Sequence, residues 1–245
     1  MEGPPLKVIA ETLSFVVGST VISASGSAKI DKMALEGKCI KRVFSIGKNL
    51  LFQFPESTVR VHFVMFGSYT VNNPKKNTKP SLSLKTQSSI IEFYRCSVKL
   101  IRNEELDTLF DEEVDIISEK WKAKKVLELT MKQPDELICD VLLDQSVFAG
   151  VGNIIKNEAL FSTRVHPLSK IGKIPKEKIV EIINETRNFS KLFYETRKKG
   201  HELKSYLQIY QKQKCPGSGE KVTRMVTGKR KRSSHFCPEL QFQYV

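Results

Sequence analysis

The sequence predicts an α+β protein with a strand-rich first half and a helical second half. Short runs of β-branched and aromatic residues, broken by Gly, Pro, Asn and Ser, fill residues 20–100, whereas helical spacing dominates beyond residue 115. A chain of 245 residues is long enough to bury a sizeable core, and we expect two domains. The last 35 residues are strongly basic and return to β character.

The first half begins with MEGPP, where one glycine and two prolines predict no regular structure. Leu6–Val17 has apolar residues at helical spacing and is followed by Gly18, so we expect one amphipathic helix there. Seven strand-like runs favour a sandwich or a barrel. They are Thr20–Ala24, Cys39–Ile46, Asn49–Phe54, Thr58–Phe63, Ser68–Val71, Ser81–Leu84 and Ile90–Leu100.

The composition changes after about residue 103. Residues 103–115 are rich in Asp and Glu and are interpreted as a solvated connection between the two halves. Four helices are predicted beyond this connection, the last with proline in its first turn. They are Ser118–Met131, Pro134–Gln145, Asn153–Phe161 and Pro175–Lys199.

The stretch Leu142–Phe161 predicts two helices held at a tight turn. Gly150 and Gly152 stop the first helix, and Asn153 opens the second, whose first-turn N–H groups and positive dipole end suit a phosphate. On spacing alone, a helical hairpin whose glycines only permit close packing is the favoured explanation.

Charge and cysteine content limit the function classes. Forty Lys and Arg against 27 Asp and Glu give a net charge of +13 and a pI of about 9.5. Such a surface favours a polyanion, although ribosomal, membrane-surface or merely soluble proteins share it. Five widely spaced cysteines predict no disulfide framework and a reducing compartment. With no apolar run of membrane-spanning length and no leader pattern, we expect neither a membrane span nor secretion.

Four motifs in this order resemble the Fpg/Nei family of DNA glycosylases. They are Glu2-Gly3-Pro4 at the start of the chain, Gly47–Leu51 (GKNLL), His62–Gly67 (HFVMFG) and the basic tail Cys215–Gln241. The sequences LLDQ and GNIIKNEAL of the central stretch resemble the family as well. Within the family, the sequence of the central stretch looks most similar to that of the second Nei-like glycosylase of animals.

The resemblance implies three domains. Residues 1–112 correspond to an N-terminal β-sandwich flanked by helices, 113–210 to a helix–two-turn–helix domain, and 211–245 to a β-hairpin finger. DNA would lie in the cleft between the first two.

The resemblance also implies a nucleophile at the chain start. The family's terminal proline is missing here, so the α-amine of Met1 would attack the sugar while Glu2 handles protons. An α-amine has a pKa of about 7.7–8.0, which leaves it partly unprotonated near neutral pH. An ordinary flexible start is the alternative for these residues taken alone.

Several DNA-contacting residues are implied as well. Lys48 would contact a phosphate and assist proton transfer, although a lysine in a turn is usually just a solvated charge. Met65 would fill the gap left by a flipped base, although a Met between two Phe is more often in the core. Asn153 and Arg232 would grip phosphates, Arg232 also serving the catalytic step. His62 and Lys156 complete the DNA-binding set.

The finger departs from the family pattern, because half of the zinc ligands are missing. We therefore expect a zincless finger and no cofactor; if a metal binds, Cys215, His235 and Cys237 are its candidates, one partner short of the usual four. Hairpin hydrogen bonds and packing of four apolar residues would then hold the finger. These are Val222, Met225, Val226 and Phe236.

The resemblance implies a monomeric base-excision-repair enzyme. It would flip and excise oxidised bases, pyrimidines above all, from duplex, bubble or single-stranded DNA through a Schiff base on the N-terminal amine, followed by β,δ-elimination. The alternative is a catalytically impaired protein that recognises damaged DNA. Either function places the chain in the nucleus or another DNA-containing compartment, and the GKRKR run of the tail would also suit nuclear import.

Overall fold

The computed structural model describes all residues 1–245, which divide into two compact units. We call Met1 together with residues 5–110 the sheet unit, and residues 2–4 together with 111–245 the helical unit. The finger does not separate as a third compact unit.

The sheet unit contains one antiparallel sheet of six strands, in the order β1-β5-β6-β4-β3-β2. The strands assigned to a sandwich are thus joined by hydrogen bonds into one sheet. Their bounds are β1 Ser23–Ser25, β2 Arg42–Ile46, β3 Asn49–Gln53, β4 Ser57–Val71, β5 Leu82–Lys85 and β6 Ile90–Arg102.

Six strands replace the seven predicted because two predicted runs belong to one strand. β4 pairs with β6 from Ser57 to Phe63 and again from Ser68 to Val71, with a register shift between Phe63 and Ser68. A bulge bends a strand and leaves some of its residues without a partner in the ladder. The bulge interrupts the alternating pattern in the sequence, so one strand was predicted as two.

Helix α1 (Gly3–Thr12) begins earlier than predicted. The expectation of an irregular start is wrong, because Pro4 and Pro5 occupy the first turn, where the N–H that proline lacks has no intrahelical partner anyway. A short 3-10 helix (Leu13–Val16) continues it. Leu6, Leu13 and Val16 are fully buried and pack with the apolar strand residues in one core.

The helical unit is built around the two-turn motif. Its helices are α3 Ala123–Met131, α4 Ile138–Val141, α5 Asn153–Ser162 and α6 Lys176–Lys198. The core gathers apolar residues of all four, including Val126, Val141, Ile155 and Ile182. The predicted α5 is confirmed, α3 starts five residues late, and α4 is shorter than predicted because turns flank it. No helix combines the length and the apolarity that a membrane span requires.

The acidic connection is more ordered than predicted. It contains helix α2 (Leu106–Leu109) between two 3-10 turns, Asn103–Glu105 and Glu112–Val114. Its carboxylates pair with lysines around the start of α3, for example Lys125 with Asp111 and Glu113.

The finger is a hairpin of β7 (Thr223–Thr227) and β8 (Arg232–Phe236). Of the four residues expected to pack it, Val222 and Phe236 are buried. Met225 and Val226 are exposed, which corrects that expectation: as consecutive residues of β7 they point to opposite faces, and both faces are open to solvent at this point of the two-stranded hairpin. Val222 joins a small cluster with Phe161, Ile209, Cys215 and Cys237.

We predict that the Phe236→Ala variant is destabilised by about 3 kcal/mol, because truncating a buried Phe leaves a cavity. The matched variant Val226→Ala should stay within about 0.5 kcal/mol of the parent, since Val226 is 66% exposed. Denaturant unfolding measures both changes. Equal losses for the two variants would contradict the described packing of the hairpin.

Candidate active site and nucleic-acid interface

The carboxylate of Glu2 caps the N-terminus of α5. It accepts hydrogen bonds from the backbone N–H groups of Gly152 at 3.2 Å, Ile154 at 2.7 Å and Ile155 at 3.3 Å. These first-turn donors have no intrahelical partners and lie at the positive end of the helix dipole, so they stabilise the ionised carboxylate. The second residue of the chain is therefore held in a defined place.

The two-turn loop requires its glycines for specific contacts. A Cβ at position 152 would lie 2.5 Å from Cγ and Cδ of Glu2, so only glycine lets the carboxylate approach. Gly150 has φ +93°, which L side chains rarely adopt, and its carbonyl accepts from Gly3 N at 2.8 Å. Gln145 braces the loop by accepting from Gly150 N and donating to Val151 O.

These contacts correct the prediction that the end of α5 is an open phosphate site. Its first-turn N–H groups already bind an anion supplied by the chain itself, the Glu2 carboxylate. The contact of Asn153 with a phosphate stays a prediction. Its side chain is buried, and the atom left without a hydrogen-bond partner is the amide oxygen, which accepts hydrogen bonds and does not bind a phosphate oxygen. The alternative, in which the glycines only permit close helix packing, does not account for Gly152, which makes room for the carboxylate of Glu2.

In the sheet unit, Lys48 and His62 lie together. Lys48 follows Gly47 (φ +56°) in the turn between β2 and β3, and its carbonyl is hydrogen-bonded to Nδ1 of His62 at 2.9 Å. Asn49 secures the same turn by donating to Ile46 O at 3.1 Å and accepting from Nε of Arg60 at 2.6 Å. The lysine is thus carried on a braced turn rather than on a free loop.

Burial lowers the pKa of His62, and nearby positive charges, among them the α-amino group and Lys48, lower it further. The ring is therefore neutral near neutral pH. In this state Nδ1 donates its proton to the Lys48 carbonyl, which leaves Nε2 as an acceptor.

Residues 64–66 project from the bulge in β4. Met65 is 72% exposed and Phe66 is 76% exposed, whereas Phe63 is buried. The interpretation of Met65 as a core residue is therefore wrong, and its side chain is available to a ligand. Phe66 has φ +65°, an uncommon conformation for a bulky residue.

The tip of the finger is held by Asp140 of α4. Its carboxylate accepts from the backbone N–H groups of Lys229 at 2.9 Å and Arg230 at 3.1 Å. A Cβ at Gly228 would lie 2.3 Å from the same carboxylate, so glycine is required there as well. Arg232 follows this clamped turn as the first residue of β8, and its side chain is exposed.

Lys156 does not contact solvent, which corrects its assignment as a DNA-binding residue. It is fully buried on α5, and its Nζ donates to Ser234 Oγ at 2.9 Å and to Ser233 O at 3.3 Å. Asn157 adds a further link, because its Oδ1 accepts from His235 N at 2.9 Å. Both residues thus attach the hairpin to the two-turn motif instead of contacting DNA.

The role of Asp140 and Asn157 was not predicted from the sequence. The available signal was a polar residue inside an otherwise apolar helical segment, as Asp140 is in ICDVLL. A buried polar group needs a hydrogen-bond partner, so such a residue indicates a tertiary link.

The finger presents no group of three metal-ligand side chains suited to an ion. Cys215 and Cys237 are joined by a disulfide, which we did not expect from the spacing of the cysteines. Nδ1 of His235 accepts from Gln211 N at 2.6 Å, and its ring stacks on Tyr210. The three candidate ligands are therefore engaged in other bonds, and a zincless finger remains a prediction.

Residues 108–205 match the formamidopyrimidine-DNA glycosylase H2TH domain. They contain the capped helix α5, the glycine loop and most of the helical core. This segment of the chain belongs to the Fpg/Nei family.

Relatives and solved structures agree with this membership. "Endonuclease 8-like 3" of Xenopus laevis is 34% identical over 237 residues, 93% of this chain and 38% of that protein. "Endonuclease 8-like 2" of Mus musculus is 34% identical over 201 residues, 76% of this chain and 58% of that protein. The fold matches the Lactococcus lactis formamidopyrimidine-DNA glycosylase non-covalently bound to an AP-site DNA, with a TM-score of 0.86 and 22% identity over 98% of this chain and 99% of the other.

These figures correct the expected branch. The "Endonuclease 8-like 3" match extends over more of the chain than the "Endonuclease 8-like 2" match, so closeness to the second Nei-like glycosylase is not supported. The chain spans less than two fifths of the Xenopus relative.

We predict that Gly152→Ala destabilises the protein by about 2 kcal/mol, because the new Cβ displaces Glu2 from the end of α5. The same substitution in a Glu2→Ala background should cost much less, since the clashing carboxylate is gone. A double-mutant cycle of unfolding free energies measures the difference. An equal cost in both backgrounds would contradict the contact.

A second prediction concerns pH. Burial lowers the pKa of Lys156 to about 8 from its usual 10.5. Between these two values the unfolded chain binds more protons than the folded chain, so the free energy of unfolding rises with pH across this window. Relative to Lys156→Met, the parent should gain about 2 kcal/mol between pH 8 and pH 10. A flat difference over this range would contradict the buried, desolvated lysine.

Proposed function

We propose that this chain is a DNA glycosylase with AP lyase activity that acts on oxidised bases, pyrimidines above all. One observation carries the proposal: the carboxylate of Glu2 is fixed on the end of α5, and the residue before it bears the α-amine. Consecutive Cα atoms are about 3.8 Å apart, so a nucleophile and a proton-transfer group are available to the same sugar.

In the reaction we assign, the Met1 amine attacks C1′ of the damaged nucleotide. The bond from C1′ to the base breaks, and the base leaves with the electron pair. The sugar ring then opens to a Schiff base between the amine nitrogen and C1′. Glu2 takes the proton that the amine loses and passes it to O4′. Removal of a proton from C2′ expels the 3′ phosphate oxygen, and a second elimination expels the 5′ phosphate.

Lys48 contributes a positive charge beside the reacting nucleotide. Its turn is braced by His62 and Asn49, so the ammonium is positioned at little entropic cost when a phosphate binds. The neutral ring of His62 adds no charge and leaves Nε2 free to accept a hydrogen bond from the nucleotide.

Arg232 and Asn153 would contact phosphates, and Met65 would enter the stack. The Arg232 side chain is exposed beyond a turn that Asp140 holds, and a guanidinium binds phosphate through two parallel hydrogen bonds. Met65 is an exposed, flexible apolar side chain, which can replace part of the stacking that a flipped base loses.

The relatives support this assignment. The two relatives are both named as endonuclease 8-like proteins, and the structure of the Lactococcus lactis glycosylase contains bound DNA with an AP site. On the resemblance of the sequence motifs alone, we further propose that the chain acts as a monomer on damaged duplex, bubble or single-stranded DNA in a DNA-containing compartment.

Borohydride reduction tests the proposal directly. Incubation with abasic-site DNA should give a covalent adduct, and mass spectrometry should place the sugar remnant on Met1. Quantitative N-terminal acetylation should abolish the adduct while leaving binding intact. Tight binding with no adduct in the unmodified protein would support the alternative of a damage-recognising protein without chemistry, and label on Lys48 would replace Met1 as the nucleophile.

We expect Lys48→Ala and Arg232→Ala to separate chemistry from binding. Lys48→Ala should lower single-turnover cleavage by about 100-fold with little change in affinity, since its charge assists proton transfer. Arg232→Ala should mainly weaken binding and lower the salt dependence by about one counterion. Cleavage and salt-dependent affinity measured on one abasic duplex check both. An Arg232 variant with unchanged affinity and turnover would remove the hairpin from the site.

A further inference from the structure

A second group of cations lies at the base of the finger, apart from Arg232. A concavity of about 890 Å³ is lined by Lys212, Lys214, Lys221 and Arg224, and the rest of its lining is neutral. We call it the basal pocket. No carboxylate lines it, although residues 211–232 as a whole carry eight Lys and Arg against one Glu.

The four cations of the basal pocket form no ion pair, although the buried Glu158 carboxylate attracts one of them, Lys212. Lys214 and Lys221 face each other across an antiparallel bridge, and like charges in that arrangement repel. By contrast, Lys229 and Arg230 at the hairpin tip pair with Glu136 and Asp144. Repulsion among the cations of the pocket is therefore only partly offset within the protein, and an external anion would relieve the rest.

The pocket is also held in shape by backbone bonds. Cys215 N donates to Glu220 O at 2.7 Å, and Val222 N donates to Gln213 O at 2.9 Å. The Arg224 guanidinium donates to Lys212 O at 3.3 Å, which ties β7 to the segment that enters the finger. These hydrogen bonds fix the backbone that carries the four cations. A binding site gains affinity when its groups are ordered before the ligand binds, whereas a solvated basic surface does not require such order.

We propose that the basal pocket binds backbone phosphates of the DNA strand that flanks the damaged nucleotide. This inference rests on the proposed function. Thr223 at the pocket and Thr227, the partner of Arg232, are four residues apart on β7, which is about 13 Å. That distance corresponds to roughly four steps of 3.4 Å along one strand. The pocket therefore extends the phosphate contacts beyond the lesion and favours longer flanks.

The test compares two lengths of abasic-site oligonucleotide, one with two nucleotides on each side of the site and one with eight. The double variant Lys214→Ala/Lys221→Ala is measured against the parent and against Lys176→Ala/Lys191→Ala, which removes two exposed lysines from α6. On the long oligonucleotide the pocket variant should bind on the order of tenfold more weakly, with a salt slope reduced by about 1.4 to 1.8. On the short one it should bind and form the borohydride adduct as the parent does.

The outcomes separate this inference from the proposed function. An equal loss on both lengths, or an equal loss in the α6 variant, would mean that only general charge attraction was removed, and would overturn the pocket. An unchanged affinity of the pocket variant on the long oligonucleotide would overturn it as well. Absence of any adduct in the parent would contradict the proposed chemistry. The dependence of affinity on oligonucleotide length would still show whether the basal pocket binds flanking phosphates.

Discussion

The carboxylate of Glu2 on the first turn of α5 is the interaction on which the rest of the candidate site depends. A helix end leaves backbone donors unpaired, and a carboxylate from a distant part of the sequence satisfies three of them. Because the second residue is fixed in this way, its peptide bond to Met1 limits where the first residue can lie. Helix α1 can then start at Gly3, with its prolines in the turn where they do least harm.

The finger depends on a second set of polar contacts. Its own apolar cluster is small, so buried groups of the two-turn motif supply the missing constraint. Lys156 and Asn157 hold β8, Asp140 holds the tip, and Glu158 accepts from three backbone N–H groups of residues 208–210. Burial raises the pKa of Glu158, which shows that desolvation opposes its charge even with these donors. Buried polar contacts of this kind add little net stability, because desolvation offsets them. Their main effect is to fix the position of β8 and therefore of Arg232.

Charge is distributed with a clear division of roles. The lysines around the start of α3 pair with the acidic connection, and Lys229 and Arg230 pair with acids of the helical unit. Arg232 and the basal pocket retain cations without such partners, and Lys48 stands on a braced turn in the sheet unit. The cations of Arg232 and the basal pocket are therefore more informative about where an anion binds than the net charge of +13.

The sequence by itself determined the α+β class, helix α5, the long α6 and the motifs at Glu2, Lys48, Asn153 and Arg232, because these depend on local periodicity and on residue order. Tertiary structure decided the rest. It merged two predicted strands across the bulge, buried Lys156 and left Met65 exposed. It also filled the helix end with Glu2 in place of an external phosphate. A side chain's partner can lie 150 residues away, as Glu2 lies from Gly152, and no local pattern records that distance.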